Sequence, residues 1–113
     1  MSLRTPLSPR QGLVWSLRRR GLEPPEIAKE LEASRQFVHQ TLSAADAKVS
    51  RLLMEAARAN RMEVQSIDVK NGLLTGYHRG LEKEAVISYS GKHGVLVPVP
   101  DLNPVLSRVG YDS

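Results

Sequence analysis

Between Ser34 and Asn60 the chain runs without a single glycine or proline. Within that stretch Val38, Leu42, Ala45, Val49, Leu52, Ala56 and Ala59 recur at alternating intervals of four and three residues. That spacing keeps apolar side chains on one strip of an α-helix. Such a helix would be about 40 Å long at 1.5 Å per residue. A rod of this length in so short a chain constrains everything else, because its apolar strip must be covered either by the rest of the chain or by a second copy.

Two shorter helices are expected before it. Ser8-Pro9-Arg10-Gln11 reads as a capping serine, a proline at the first helical position and a glutamine three residues after the cap, a reciprocal capping box. Leu13, Val14 and Leu17 supply an apolar face, and Gly21 after Arg18-Arg19-Arg20 suits a C-terminal cap. The first helix is predicted over roughly 9–20. Pro24 and Pro25 fit the first turn of a second helix, which carries Ile27, Ala28 and Leu31 at helical spacing. Glu23 is a poorer cap than Ser, Thr or Asp. Ser34 caps the third helix.

After Arg61 the period changes from helix to strand. Ile67 and Val69 alternate with polar residues, Asn71-Gly72 marks a hairpin turn, and Leu73–His78 follows as a second strand. A looser turn at Arg79-Gly80 leads to a third strand, Ala85–Ser90, and a turn over 91–94 to a fourth, Val95–Val99, with Pro98 arguing for an edge. Leu102, Val105, Leu106 and Val109 suit a short terminal helix. The expected fold class is α+β: a three-helix N-terminal unit over 1–61 with an extended third helix, then a small antiparallel β-meander and a short C-terminal helix over 62–113.

The charge is unevenly spread. Residues 1–61 hold eleven Lys/Arg against six Asp/Glu, whereas residues 62–113 hold five against six. A basic first half suits a polyanionic partner or a solvated face. The absence of cysteine excludes a disulfide scaffold and thiolate zinc sites. No apolar run reaches the roughly 20 residues that cross a bilayer, so a cytoplasmic, membrane-free protein is expected. His39, His78 and His93 lack a metal-binding spacing, and Ser88 and Ser90 lack a nucleophile elbow. Neither an enzyme, nor a metal, nor a cofactor is expected.

Taken in order, Leu-Ser-Pro-Arg-Gln, Leu-Arg-Arg-Arg-Gly-Leu, Glu-Ile-Ala-Lys-Glu-Leu and Ser-Arg-Gln-Phe-Val-His-Gln-Thr-Leu resemble the helix-turn-helix of LuxR-type regulators and of the sigma-factor C-terminal region. The long third helix looks closest to archaeal Tfx-type DNA-binding proteins. The resemblance covers residues 7–53, and Glu32 stands where many of these motifs have glycine. It implies a sequence-specific transcriptional regulator that binds double-stranded DNA; the alternative is a protein-interaction adaptor of the transcription machinery on the same scaffold.

A three-helix unit that buries Leu13, Val14, Leu17, Ile27, Ala28, Leu31, Val38 and Leu42 leaves the first turns of the third helix free for a major groove. Arg35, Gln36, His39 and Gln40 lie on that face, and Arg and Gln side chains suit guanine and adenine edges. The resembling families contact bases from these positions. Phe37 either meets a thymine methyl or folds back on the second helix, and is carried as a base contact. Arg10, Lys29, Ser34 and Thr41 are the candidate phosphate contacts. Arg18, Arg19 and Arg20 form either a solvated helix end or a phosphate site, and Trp15 is read as interhelical packing. Tyr77 and Tyr89 are read as sheet packing, a small-molecule effector site being the other reading. A homodimer is expected, with the strip from Val49 to Ala59 either facing its copy or covered by the chain's own β-rich half.

Overall fold

The computed structural model describes residues 7–91 and 94–97. Three helices, α1 (Pro9–Arg19), α2 (Pro24–Leu31) and α3 (Arg35–Ala59), precede four strands, β1 (Met62–Asp68), β2 (Leu73–His78), β3 (Lys83–Ser90) and β4 (Gly94–Leu96). The strands pair antiparallel in chain order. The fold is α+β. The terminal helix expected around Leu102–Val109, and the end of the fourth strand at Pro98 and Val99, lie outside the described residues.

Local chemistry sets the helix ends. The Gln11 amide donates to Ser8 Oγ at 3.2 Å, and the Ser8 amide donates to Gln11 Oε1 at 3.0 Å, closing the capping box. At α2 the Glu23 amide donates to Glu26 Oε1 at 2.7 Å, so a side chain three residues on compensates for the weak cap. At α3 the Phe37 amide donates to Ser34 Oγ at 3.0 Å.

Two apolar clusters share α3. In the first, Val38 and Leu42 pack with Val14, Ile27 and Ala28, flanked by Leu17, Leu22, Leu31 and Phe37. In the second, Ala45, Val49, Leu52, Leu53, Ala56 and Ala57 pack with Trp15 and with Met62, Leu74, Ile87 and Tyr89 of the sheet. The strip of α3 is therefore covered by the chain's own sheet, which overturns its reading as a helix–helix dimer seam. Two expected core positions are on the surface: Leu13 is 49% exposed, and Ala59 is exposed at the end of α3. Leu13 precedes the buried pair Val14 and Trp15, and successive helical positions turn by about 100°, so these three cannot all face inward. Ala59 is the last residue of α3, just before the chain turns into β1, and no described residue covers it.

The meander has tight corners. Residues 69–72 and 79–82 form matching four-residue turns, closed by the Gly72 amide on Val69 O (3.1 Å) and the Glu82 amide on Arg79 O (3.2 Å). Asn71-Gly72 is thus the second half of a longer turn. Asp68 accepts from the Asn71 amide and Nδ2, and these bonds hold its carboxyl below the usual carboxylate range. Gly72 has φ +69°, and a Cβ there would lie 2.8 Å from Tyr89 O and 3.2 Å from the Trp15 ring. Gly76 lets β1 approach, since a Cβ would lie 2.4 Å from Glu63 O.

Two outcomes test this packing. Leu53 is fully buried between α3 and the sheet, so Leu53→Ala is expected to lower unfolding free energy by about 2–5 kcal/mol in urea titration. Charging the strip with Val49→Glu and Leu52→Glu is expected to unfold the chain, as read by circular dichroism; a folded double variant would contradict the cover described here.

Candidate nucleic-acid interface

Only three residues, Glu32, Ala33 and Ser34, separate α2 from α3. The turn is made by Glu32, at φ 53° and ψ 45°, with the Ala33 amide donating to Ala28 O at 2.9 Å. This is the left-handed conformation that glycine adopts most cheaply. Ser34 then starts α3 with its Oγ accepting from Phe37, so part of its hydrogen-bonding capacity already serves the cap.

The first turns of α3 divide by face. Val38 and Leu42 are buried, whereas Arg35, Gln36, His39 and Gln40 are exposed together. Their burial partners explain this: the sheet packs on α3 from Ala45 onward, and α1 and α2 take only the Val38–Leu42 side. Phe37 is half-buried against that cluster, with the Arg10 guanidinium 5.6 Å from its ring centre, so packing against the helical unit is the role the structure gives it. Arg10 and Lys29 are exposed on α1 and α2, and Thr41 is half-buried on α3. Arg10, Leu13, Leu31, Glu32, Ser34 and Phe37 border one concavity beside the α2–α3 turn, which brings Arg10 and Ser34 to the same edge as Phe37.

The three consecutive arginines have separate fates. Arg18 makes a two-pronged ion pair with Asp46 of α3, at 2.9 and 2.6 Å. Its side chain is only 14% exposed; neither reading offered by the sequence, a solvated end or a phosphate site, fits it. Arg19 lies 5.5 Å from the Trp15 ring centre and donates to Tyr89 O at 3.4 Å. Arg20 is exposed. Trp15 packs edge-on against Tyr89, with ring centres 5.2 Å apart, so it joins α1 to the sheet as well as to α3. Burial pushes the Tyr89 hydroxyl above its ordinary pKa. The Arg18–Asp46 pair is a residue choice the sequence reading missed: 28 positions separate the partners, and no local pattern links them.

Among the described residues no group of His, Asp or Glu could hold a metal ion, and no helix is long and apolar enough to cross a membrane. No family model, curated protein or solved structure matches the chain.

Two substitutions follow. Glu32→Gly removes a side chain from a left-handed position and is expected to raise stability by up to about 1 kcal/mol, seen as a higher melting temperature. Asp46→Ala leaves the mostly buried Arg18 guanidinium without its partner and is expected to cost about 1–3 kcal/mol in the same measurement.

Proposed function

We propose that this chain is a sequence-specific double-stranded DNA-binding transcriptional regulator of the helix-turn-helix kind, with the N-terminal end of α3 in the major groove. The observation that carries the reading is the division of α3: its strip from Val38 to Ala57 is buried, while Arg35, Gln36, His39 and Gln40 are exposed together at its free end. Arg35 is suited to a guanine edge and Gln36 or Gln40 to an adenine edge, each through paired hydrogen bonds. Phe37 serves this face by fixing the first turn of α3 against the helical unit. Arg10, Lys29, Ser34 and Thr41 flank the groove as phosphate contacts; for Ser34 the hydroxyl proton is available while its oxygen caps the helix.

The left-handed turn at Glu32 and the three-residue connection support a helix-turn-helix, and the excess of basic residues in the first half supports a polyanion. The regulator acts as a homodimer on a two-fold site, with recognition helices about 34 Å apart. Its dimer contact lies away from the α3 strip, which the chain's own sheet occupies.

Selection of bound duplexes from a random pool tests the reading, with a palindromic consensus as the expected result. Log affinity should fall linearly with log salt, by about 0.9 per phosphate contact. At the selected site Arg35→Ala should cost about 1–3 kcal/mol and relax preference at particular base pairs, while Lys29→Ala weakens all duplexes alike. Retention of no duplex at low salt would reject DNA binding in favour of a protein-interaction adaptor.

A further inference from the structure

Away from the exposed end of α3, a cleft of about 500 Å³ opens between α1 and the end of β3. Gly12, Trp15, Ser16, Arg19 and Arg20 line it from α1 and the turn that follows, and Ser90 and Gly91 from the sheet. Its size lies within the usual range of small-ligand sites. Among the described residues no carboxylate borders it. Asp46 of α3 is engaged by Arg18. The walls approach closely, since Ser16 Oγ would be 3.6 Å from a Cβ at Gly91.

Two features mark it as more than a surface dent. Arg19 is exposed but lies 5.5 Å from the Trp15 ring centre and donates to Tyr89 O at 3.4 Å. A guanidinium with two such contacts loses less freedom on binding a second group than an unrestrained one. Trp15 is 1% exposed, and its Nε1 is buried with no hydrogen-bond partner among the described residues, an uncommon condition for an indole in a folded chain. Arg20 adds a second guanidinium with no ion pair among the described residues.

We infer that this cleft binds a phosphate group, held by the forked donors of Arg19 and Arg20 with the Ser16 hydroxyl. Arginine is suited to phosphate because its parallel N–H groups match two oxygens at once. A ligand here touches both α1 and the end of β3, so it links the helical unit to the sheet. The inference does not depend on DNA recognition by α3. The phosphate belongs either to a free small molecule or to a nucleic-acid backbone, and competition distinguishes these sources.

Trp15 is the only tryptophan in the chain, so its fluorescence reports on the cleft directly. The test titrates the full chain with inorganic pyrophosphate at constant ionic strength, with sodium chloride as the matched control. A saturable change is expected with pyrophosphate and not with chloride. Arg20 is exposed, so Arg20→Gln is expected to keep the melting temperature and to weaken pyrophosphate by about tenfold, the loss of one charge-assisted contact. Arg19→Lys keeps the charge beside Trp15 but removes the fork, and is expected to weaken it several-fold as well. As a second readout, saturating pyrophosphate should raise the melting temperature of the unsubstituted chain and should raise that of Arg20→Gln by less. Pyrophosphate that binds equally well with and without a duplex identifies a free ligand; mutual displacement, with Arg20→Gln weakening both, identifies backbone phosphate. A non-saturating response, or one that Arg20→Gln leaves unchanged, overturns the site.

Discussion

The structure depends on one helix being buried twice. α3 presents a single strip, but Val38 and Leu42 pack with α1 and α2, whereas Ala45 to Ala57 pack with the sheet. α1 spans the junction. Its consecutive residues Val14 and Trp15 enter different clusters, because neighbouring side chains on a helix diverge by about 100°. One turn further on, Arg18 reaches Asp46, next to Ala45 at the start of the second cluster. The ion pair thus fixes α1 to α3 where one core gives way to the other, and its two-pronged geometry resists sliding and rotation alike.

This arrangement explains why the N-terminal end of α3 keeps an exposed polar face. The sheet clamps the C-terminal half, α1 and α2 take one side of the N-terminal half, and what remains free is the face carrying Arg35, Gln36, His39 and Gln40. A residue on a rigid helix with its far end packed is presented with less lost entropy than one on a loop. The small residues of the second cluster, Ala45, Ala56 and Ala57, bury little area each. They allow close approach of helix and sheet instead, and the large contributions come from Trp15, Leu53, Leu74, Ile87 and Tyr89.

Much of this was legible in the chain because it rests on local chemistry. The capping box at Ser8, the cap at Ser34, the long helix and the exact limits of β2 follow from side chains that act within a few residues. The period change after Arg61 marked the meander correctly, although β1 began earlier than its alternation suggested. Here only Met62 is buried, and the other six residues of the strand are exposed, so burial left no strong pattern to read. Leu13 misled for the opposite reason: it is apolar and adjacent to a buried face, yet the α1 surface it occupies borders the concavity beside the α2–α3 turn.

By itself, the sequence determined which of the described segments are helical, where they are capped, that four strands follow, and which polar side chains share the free face of α3. These outcomes depend on hydrogen bonds and periodicities that span one turn or one hairpin. Tertiary structure alone decided what covers the strip of α3, since a partner helix and a sheet satisfy the same apolar pattern equally well. It also separated three adjacent arginines, pairing Arg18 with an acid 28 residues away, laying Arg19 on Trp15 and leaving Arg20 at the surface. Identical side chains in a row carry no information about their partners; the partners are set by the direction in which the helix turns each one and by what the rest of the chain has brought there.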